Sequence, residues 1–370
     1  MKILQLGKFY PIRGGVEKVM YDLISGLSKL GVECDMMCAE TKGSGTVRDI
    51  DTGAHIHSFH SWAKIASTTI APSMISSLRA RCNEYDLIHI HHPDPMAAIA
   101  LRMSGYKGPV VLHWHADIIK SKTMLKVYEP LQEWLIKRSD VIVTTSPVTI
   151  EHSPALARHR SRTLCIPIGI TGLTEDIEEA PSIRQRFAGK KIIFSLGRLV
   201  PYKGYKYLLE AATMLPDDYV VLIGGEGPLR DSLEHMRQSS GVNDKVIFLG
   251  RVPDDMIPAY YSACDIFCLP SVMKTEAFGI VQIEAMSLGK PVVATKIKGS
   301  GTAWVNNSGV SGLNVDPGDA RQLADALRSI GDDPELYARL SAGARERFHS
   351  TFTLDCMVNQ CHELYKTLIK

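Results

Sequence analysis

The chain has 370 residues, of which 45% are hydrophobic and 22% charged, a composition typical of a folded globular protein. At about 150 residues per domain, the length predicts two or three domains, and the composition excludes disordered, collagen-like and small disulfide-rich chains. The net charge of +2 conceals an uneven distribution. Residues 1–170 hold 20 Lys+Arg against 15 Asp+Glu, a net of +5, and residues 171–370 hold 22 against 25, a net of −3.

The basic excess of the first half has two interpretations, a solvated surface or attraction to an anionic surface or acceptor. Its main contributors are Arg79, Arg81, Arg102, Lys107, Lys120, Lys122, Lys126, Lys137 and Arg138. No basic block is interleaved with aromatic residues, so no nucleic-acid partner is expected.

The cellular location is predicted to be the cytoplasm. No apolar run reaches the roughly 20 residues needed to span a bilayer, and the apolar stretch after Lys2 is too short for an export signal. The eight cysteines are scattered without a CxxC or a Cys/His ligand set. They indicate reduced thiols and no zinc site.

Short apolar strands alternate with amphipathic helices along the first half of the chain. Strands are predicted at 2–6, 32–38, 87–91, 109–113 and 141–145, and a helix at 16–29. This alternation predicts a parallel sheet with helices on both faces.

The same alternation restarts after residue 185. Strands are predicted at 191–196, 219–223, 246–249, 266–269 and 292–294, and helices at 205–214, 229–239, 257–263 and 279–288. Two doubly wound domains, 1–170 and 188–353, are the simplest account. A last helix, 354–370, either packs where the chain ends or crosses back onto the first domain, to which we assign it.

Ligands of open α/β sheets bind beyond the carboxyl ends of the strands, so the strand–helix junctions are the candidate sites. At the first junction, Gly14 and Gly15 precede a helix, where backbone N–H groups can bind an anion. The dinucleotide fingerprint GxGxxG is missing there, and a plain turn explains the glycines equally well.

Two histidine-rich strand ends follow in the first half. His113 and His115, followed by Asp117, could ligate a metal, act in acid/base chemistry or fill a strand end. Without a third ligand nearby in sequence, a polar contact to a ligand is the favoured role. For the similar run of His89, His91 and His92 we favour a structural role.

Two junctions in the second half carry charge. Gly197 and Arg198 follow a strand, and Lys203 precedes a helix, so the two cations could hold a diphosphate or could simply be solvated. Glu276 and Glu284 stand eight positions apart around a helix start whose free N–H groups can bind phosphate. Carboxylates at such a place accept hydrogen bonds from hydroxyl-rich ligands.

In combination these segments resemble the retaining glycosyltransferases of the GT-B fold, family 4, which is also called group 1. The resemblance spans nearly the whole chain and rests on an ordered set of motifs. They are Gly14-Gly15-Val16-Glu17, Gly197-Arg198-Leu199 with Lys203-Gly204, Gly225-Glu226-Gly227-Pro228-Leu229, and Glu276 with Glu284. It implies two Rossmann-like domains that face each other across a cleft.

The resemblance also implies roles for single residues. Arg198 and Lys203 would bind the diphosphate of a nucleotide-sugar, with backbone from Gly14, Gly15 and Gly197 beside it. Glu284 would hold the ribose and Glu276 the donor sugar. The backbone N–H groups of Phe278, Gly279, Ile280 and Val281 would lie near sugar and phosphate. Arg251 and Val252 would line the base, and His115 would lie near the anomeric carbon, with Asp117 as a weaker neighbour.

A finer resemblance concerns residues 271–278 and 299–306, which look like those of bacterial surface-polysaccharide mannosyltransferases. It implies GDP-mannose as donor, a lipid-linked oligosaccharide as acceptor, and peripheral association with the inner membrane surface. No metal and no cofactor are expected, because no aspartate-rich DxD motif stands in the site loops. The alternatives are a UDP-sugar donor, a non-hydrolysing nucleotide-sugar epimerase and a non-catalytic binding module.

Overall fold

The computed structural model describes residues 1–10, 14–40, 45, 47–49, 53–65, 68–118 and 122–369. The chain forms two compact units. Unit 1 comprises Met1–Gly169 and Leu354–Lys370, and unit 2 comprises Ile170–Thr353. Residues 171–187, which the sequence analysis leaves between the domains, therefore belong to unit 2, and so does Ile170, which was predicted to end the first domain. They are held there partly by the Arg184 guanidinium, which donates to both carboxylate oxygens of Asp265.

Unit 1 is a doubly wound α/β unit. Its strands are β1 Lys2–Tyr10, β2 Glu33–Glu40, β3 Val47–Asp49, β4 His55–His60, β5 Ala63–Ile65, β6 Thr68–Ile70, β7 Leu87–His92, β8 Val110–Trp114, β9 Val141–Thr144 and β10 Thr163–Cys165. Its helices are α1 Gly15–Lys29, α2 Ser73–Arg81, α3 Pro95–Ser104, α4 Lys122–Arg138, α5 Pro147–His152 and α14 Leu354–Leu368. The main sheet has the order β10-β9-β8-β7-β1-β2-β4-β3 and is parallel except at β3.

The central strands of unit 1 are buried along their length, as expected for a parallel sheet covered on both faces. Strand β1 runs four residues beyond its predicted end. Its pairing with β2 shifts register between Leu6 and Phe9, where Gly7 and Lys8 both have positive φ. The irregularity lets the strand continue past a glycine that the sequence analysis treats as the start of a loop.

Unit 2 repeats the architecture with six parallel strands in the order β13-β12-β11-β14-β15-β16. The strands are β11 Lys191–Leu196, β12 Tyr219–Gly224, β13 Val246–Gly250, β14 Ile266–Leu269, β15 Val292–Thr295 and β16 Gly312–Val315. The helices are α6 Ala180–Arg186, α7 Tyr205–Ala212, α8 Arg230–Ser239, α9 Ile257–Ala263, α10 Ile280–Ser287, α11 Thr302–Val305, α12 Ala320–Asp332 and α13 Pro334–Arg347. The prediction of two doubly wound α/β domains is confirmed.

The last helix, α14, packs on unit 1. Its Met357, Cys361 and Tyr365 are fully buried. A Cβ on Gly26 of α1 would lie 2.4 Å from a methyl group of Val358, so glycine at this position lets α1 and α14 approach closely. Among the described residues, no helix has both the length and the hydropathy that crossing a bilayer requires.

Candidate functional site

At the carboxyl ends of β11 and β12 in unit 2, glycines let the two backbones pack directly against each other. A Cβ on Gly225 would lie 2.0 Å from the carbonyl oxygen of Gly197, and a Cβ on Gly227 would lie 2.4 Å from that of Leu199. Only residues without a side chain permit this backbone-on-backbone packing. The strand ends therefore present an edge of bare backbone, which a ligand can approach closely.

An ion pair stands beside this edge. The Lys203 ammonium lies 2.6 Å from Glu276 Oε2, and the side chains are only 10% and 11% exposed. Ser271 Oγ donates to the same carboxylate oxygen at 2.9 Å. A Cβ on Gly197 would lie 3.3 Å from the ammonium, so Gly197 leaves the lysine head group uncovered on that side. A largely desolvated cation there can stabilise charge on a phosphate, and the carboxylate can accept from hydroxyl groups.

Gly204 is the residue that brings Lys203 to Glu276. It has a φ of +70°, and a Cβ on it would lie 2.0 Å from the carbonyl oxygen of Pro270. The turn 201–204 thus packs directly on the chain that leaves β14, where Val272 N–H donates to the Tyr202 carbonyl at 2.8 Å. Since Glu276 follows on that same segment, the packing of the two backbones sets the spacing of the ion pair.

Helix α10 begins next to Glu276. Its N-terminal cap is Gly279, with a φ of +79° and no side-chain cap. The first N–H groups of the helix are therefore not satisfied by a capping side chain, and they carry the positive end of the helix dipole. Phe278 is buried and packs edge-on against Phe352, so it can offer only its backbone to a ligand. Ile280 and Val281 form the first turn.

Glu284 lies further along α10 and accepts a hydrogen bond from Tyr261 at 2.8 Å. Burial raises the pKa of Tyr261 well above its ordinary value, and the neighbouring Glu284 carboxylate raises it further. The phenol therefore stays protonated and holds one carboxylate oxygen in place. The sequence analysis missed Tyr261, which belongs to no recognisable motif, and it gave Ser271 no role although this residue opens the segment 271–278.

The remaining predicted residues of unit 2 lie at the same strand edge. Arg198 and Arg251 have exposed side chains just beyond β11 and β13. Val252 is buried, and one of its methyl groups would lie 2.7 Å from a Cβ on Gly224. The structure thus brings Gly197, Lys203 and Glu276 together, and it places Gly279 to Glu284 on the segment that follows.

The predicted residues of unit 1 also lie at the carboxyl ends of strands. Gly15 begins α1, and Gly14 is its cap, where a Cβ would lie 2.6 Å from Glu17 Oε2. His115 follows β8, is buried and contacts His91 Nδ1 through its Nε2 at 2.9 Å. Asp117 accepts from Trp114 Nε1 and Ser153 Oγ, which indicates a structural role.

Three further charged groups meet at this edge of unit 1. The Lys8 ammonium donates to the Pro93 carbonyl, and the Lys8 N–H donates to the Asp94 carboxylate. Burial lowers the pKa of Lys8, against the opposing effect of Asp94 and Glu17. Burial likewise raises the pKa of Glu17, against the effect of Lys8. The sequence analysis missed this cluster, because a sequence does not reveal the positive φ of Lys8.

Among the basic residues of the first half, which either are solvated or attract an anionic surface, the structure describes only some. Lys120 and the side chains of Lys122 and Lys126 lie outside the described residues. Arg102, Lys107 and Lys137 are exposed. Arg138 instead donates to the carbonyl oxygens of Tyr106 and Gly108.

Two family models match the chain. Glycosyltransferase Family 4 matches residues 13–171, and Glycosyl transferases group 1 matches residues 176–347. The two matches fall one on each of the α/β units, and together they span most of the sequence.

Two curated relatives match nearly the whole chain. The O-antigen chain mannosyltransferase C of Escherichia coli is 29% identical, over 100% of this chain and 99% of the relative. The D-rhamnosyltransferase WbpZ of Pseudomonas aeruginosa is 28% identical, over 95% of this chain and 92% of the relative.

Solved structures agree in fold. The sucrose-phosphate synthase of Thermosynechococcus elongatus superposes with a TM-score of 0.82 at 22% identity, over 100% of this chain and 99% of that structure. The Anabaena protein HepE, solved in complex with UDP, superposes with a TM-score of 0.79 at 22% identity, over the full length of both chains. The predicted GT-B fold of two Rossmann-like domains is confirmed.

Proposed function

The chain belongs to the group 1 glycosyltransferases of family 4, and from this premise we propose that it transfers mannose from GDP-mannose to a lipid-linked oligosaccharide or polysaccharide acceptor. The observation that carries the proposal is the Lys203–Glu276 ion pair beside Gly197. It supplies a buried cation for a leaving diphosphate and a carboxylate for sugar hydroxyls at one edge. The similarity to an O-antigen mannosyltransferase over the full chain supports the choice of mannose.

The proposed reaction retains the configuration of the anomeric carbon. The bond from that carbon to the diphosphate oxygen breaks, a bond to the acceptor oxygen forms on the same face, and the acceptor proton passes to the leaving phosphate. The protein then needs no nucleophile of its own, unlike a retaining glycosidase. Lys203, Arg198 and the first N–H groups of α10 stabilise the negative charge that develops on the diphosphate.

The other residues orient the donor. Glu276 accepts from hydroxyls of the sugar and Glu284 from those of the ribose, while Arg251 and Val252 line the base. The family resemblance implies that His115 and the backbone of Gly14 and Gly15, all in unit 1, also contact the donor. Charge neutralisation by Lys203 and Arg198 takes the place of a metal ion in this proposal. Turnover should therefore persist in excess EDTA.

A donor screen tests the choice of substrate. Purified protein is mixed with a lipid-linked oligosaccharide acceptor and with GDP-mannose, UDP-glucose, UDP-galactose or UDP-N-acetylglucosamine, and released nucleotide is measured. We expect release from GDP-mannose, dependent on the acceptor, and an α-linked product by NMR. Release from a UDP-sugar alone would contradict the donor, and conversion of the nucleotide-sugar without any acceptor would indicate an epimerase.

We further propose that the enzyme acts as a peripheral protein on the cytoplasmic, anionic face of a membrane. The support is the +5 net charge of residues 1–170. Flotation with anionic liposomes should weaken when Lys120, Lys122 and Lys126 are replaced by alanine, and neutral liposomes serve as the control. Unchanged flotation of the triple variant would rule out this set of lysines.

A further inference from the structure

Four histidines of unit 1 form a buried row on one face of the sheet. His89 and His91 alternate along β7 and so share a face, and His113 of β8 pairs in register with His91. The rings of His113 and His115 stack with centroids 4.1 Å apart. Tyr365 of α14 closes the row, with its hydroxyl 2.5 Å from His89 Nδ1.

The ring orientations argue against a metal centre. His89, His91 and His113 hold ligand atoms within 4.8 Å of one another. Their ring planes, however, lie only 8° to 25° apart, in a stacked arrangement. Because an imidazole donates its lone pair in the plane of the ring, stacked rings do not converge on one ion. Hydrogen bonding is the chemistry that this row supports.

Hydrogen bonds connect Gln5 and Tyr365 with His89, His91 and His115, whereas the ring nitrogens of His113 have no partner among the described residues. Gln5 Nε2 donates to the Tyr365 hydroxyl at 3.3 Å, and that hydroxyl also lies 2.5 Å from His89 Nδ1. The other end of the Gln5 amide, Oε1, lies 2.8 Å from His91 Nε2. An amide oxygen can only accept, so His91 carries its proton on Nε2.

The position of the His91 proton also determines which nitrogen of His115 is protonated. Burial holds the pKa of both His91 and His115 well below the ordinary value, so both rings are neutral and have one N–H each. Since Nε2 of His91 is protonated, its Nδ1 is a lone pair and accepts from His115 Nε2. His115 Nδ1 is then also a lone pair. It is buried and finds no hydrogen-bond donor within the described part of the chain.

A buried acceptor without a donor costs about 1–3 kcal/mol, so its retention calls for a reason. We propose that Gln5, His91 and Tyr365 are positioning residues that fix the Nε2–H tautomer of His115. Its Nδ1 then serves as an acceptor for a hydroxyl of the sugar substrate. Because His115 Nδ1 is buried, a sugar hydroxyl reaches it only when the neighbouring atoms that cover it move aside. The sugar contact rests on the proposed function, whereas the tautomer does not.

The tautomer is tested without substrate, by NMR of protein labelled with ¹⁵N-histidine. The His115 signals are assigned by their loss in His115→Gln. We expect a protonated Nε2 and an unprotonated Nδ1 at neutral pH. A protonated Nδ1, or a charged ring, would overturn the proposal whatever the outcome of the donor screen.

Variants then test the chain of hydrogen bonds. Gln5→Leu removes the acceptor that holds the His91 proton on Nε2. His91 can then carry its proton on its own Nδ1 and donate to His115 Nε2, which leaves the His115 proton on His115 Nδ1. Tyr365→Phe removes the group that orients the Gln5 amide, and it should populate the same reversed state if Gln5→Leu does not fold. An unchanged His115 tautomer in the folded variants would refute the positioning role.

Gln132→Leu is the matched control. Gln132 is a second buried glutamine in contact with a histidine, since its Oε1 lies 3.3 Å from His92 Nε2. It should leave the His115 tautomer and the kinetics unchanged. In Gln5→Leu, kcat/KM for the nucleotide-sugar should fall about tenfold, the effect of one lost hydrogen bond. A reversed tautomer with unchanged kcat/KM would overturn the sugar contact alone.

Discussion

At the scale of single residues, the proposed transferase activity depends on the Lys203–Glu276 pair. Both side chains are about nine-tenths shielded from solvent. The Ser271 hydroxyl donates a hydrogen bond to the same Glu276 oxygen that contacts Lys203. In such a position an ammonium acts on a nearby phosphate with little screening by water. We therefore propose that the pair combines stabilisation of charge on the diphosphate with recognition of sugar hydroxyls.

Replacing Lys203 by alanine should lower the turnover of the nucleotide-sugar by about 100-fold or more, the usual effect of removing one preorganised charge-stabilising group. Lys206→Ala is the matched control, because Lys206 is three residues away, exposed, and contacts the Tyr207 ring. Released nucleotide measures turnover, and circular dichroism checks folding. Turnover of Lys203→Ala within a few-fold of that of Lys206→Ala would remove Lys203 from the site.

Sequence predicted the residue types of this site better than their partners. Arg198, Lys203, Glu276 and Glu284 follow strands whose ends can be inferred from apolar runs. The ion pair itself depends on how the turn before α7 packs on the chain leaving β14, which no spacing reveals. For the same reason Tyr261, whose hydroxyl holds Glu284, could not be predicted.

At the scale of elements, the glycine turn at Gly204 sets the position of Lys203. A side chain at this position would be destabilising for two reasons. The backbone has a positive φ, and the Cβ would lie 2.0 Å from the carbonyl oxygen of Pro270. Gly241 has a similar φ of +68°, but nothing lies within 4 Å of its Cβ position. A comparison of alanine at the two positions therefore separates the cost of the left-handed backbone from the cost of the close contact with Pro270.

Gly241→Ala should cost about 1–2 kcal/mol of unfolding free energy, the cost of the left-handed conformation alone. Gly204→Ala should cost about 1–3 kcal/mol more, because the turn must move away from Pro270. Urea titration measures both. Equal losses in the two variants would show that the turn does not need its close contact with β14.

Elements with regular spacing were the part of the fold open to sequence reasoning. The apolar runs of β11 and β14 and the helix α9 have the predicted bounds. Strand β1 does not, because its continuation past Gly7 depends on pairing with β2. The segment 171–187 lacks periodicity, and only contacts such as Arg184 with Asp265 place it in unit 2.

At the scale of the molecule, unit 1 carries a set of buried neutral imidazoles. Burial lowers the pKa of His113 to about 3, whereas an unfolded histidine has a pKa near 6.5. Between these values the unfolded chain binds a proton that the folded chain excludes. Stability should therefore be complete above about pH 6.5 and should decline as the pH falls below it.

His113→Phe removes one of these groups and keeps an aromatic ring. Near pH 5 the free energy of unfolding of the wild type should fall with pH by about 1.4 kcal/mol per unit more steeply than that of the variant. Urea titrations at pH 7.5, 6 and 5 measure the slopes. Tryptophan fluorescence follows mainly unit 1, which holds Trp62, Trp114 and Trp134. The exposed His235, changed to Phe, is the control, and equal slopes in all three proteins would contradict the assignment.

We propose that the strand edge of unit 2 binds a nucleoside diphosphate through Lys203. Calorimetric titration of GDP and GMP, with UDP and UMP alongside, tests it most directly. We expect wild type and Lys206→Ala to bind GDP about tenfold or more tightly than GMP, because one charge-assisted contact reaches the second phosphate. We expect Lys203→Ala to lose this preference. A wild type that binds diphosphate and monophosphate equally, or a Lys203→Ala variant that keeps the full preference, would contradict the claim.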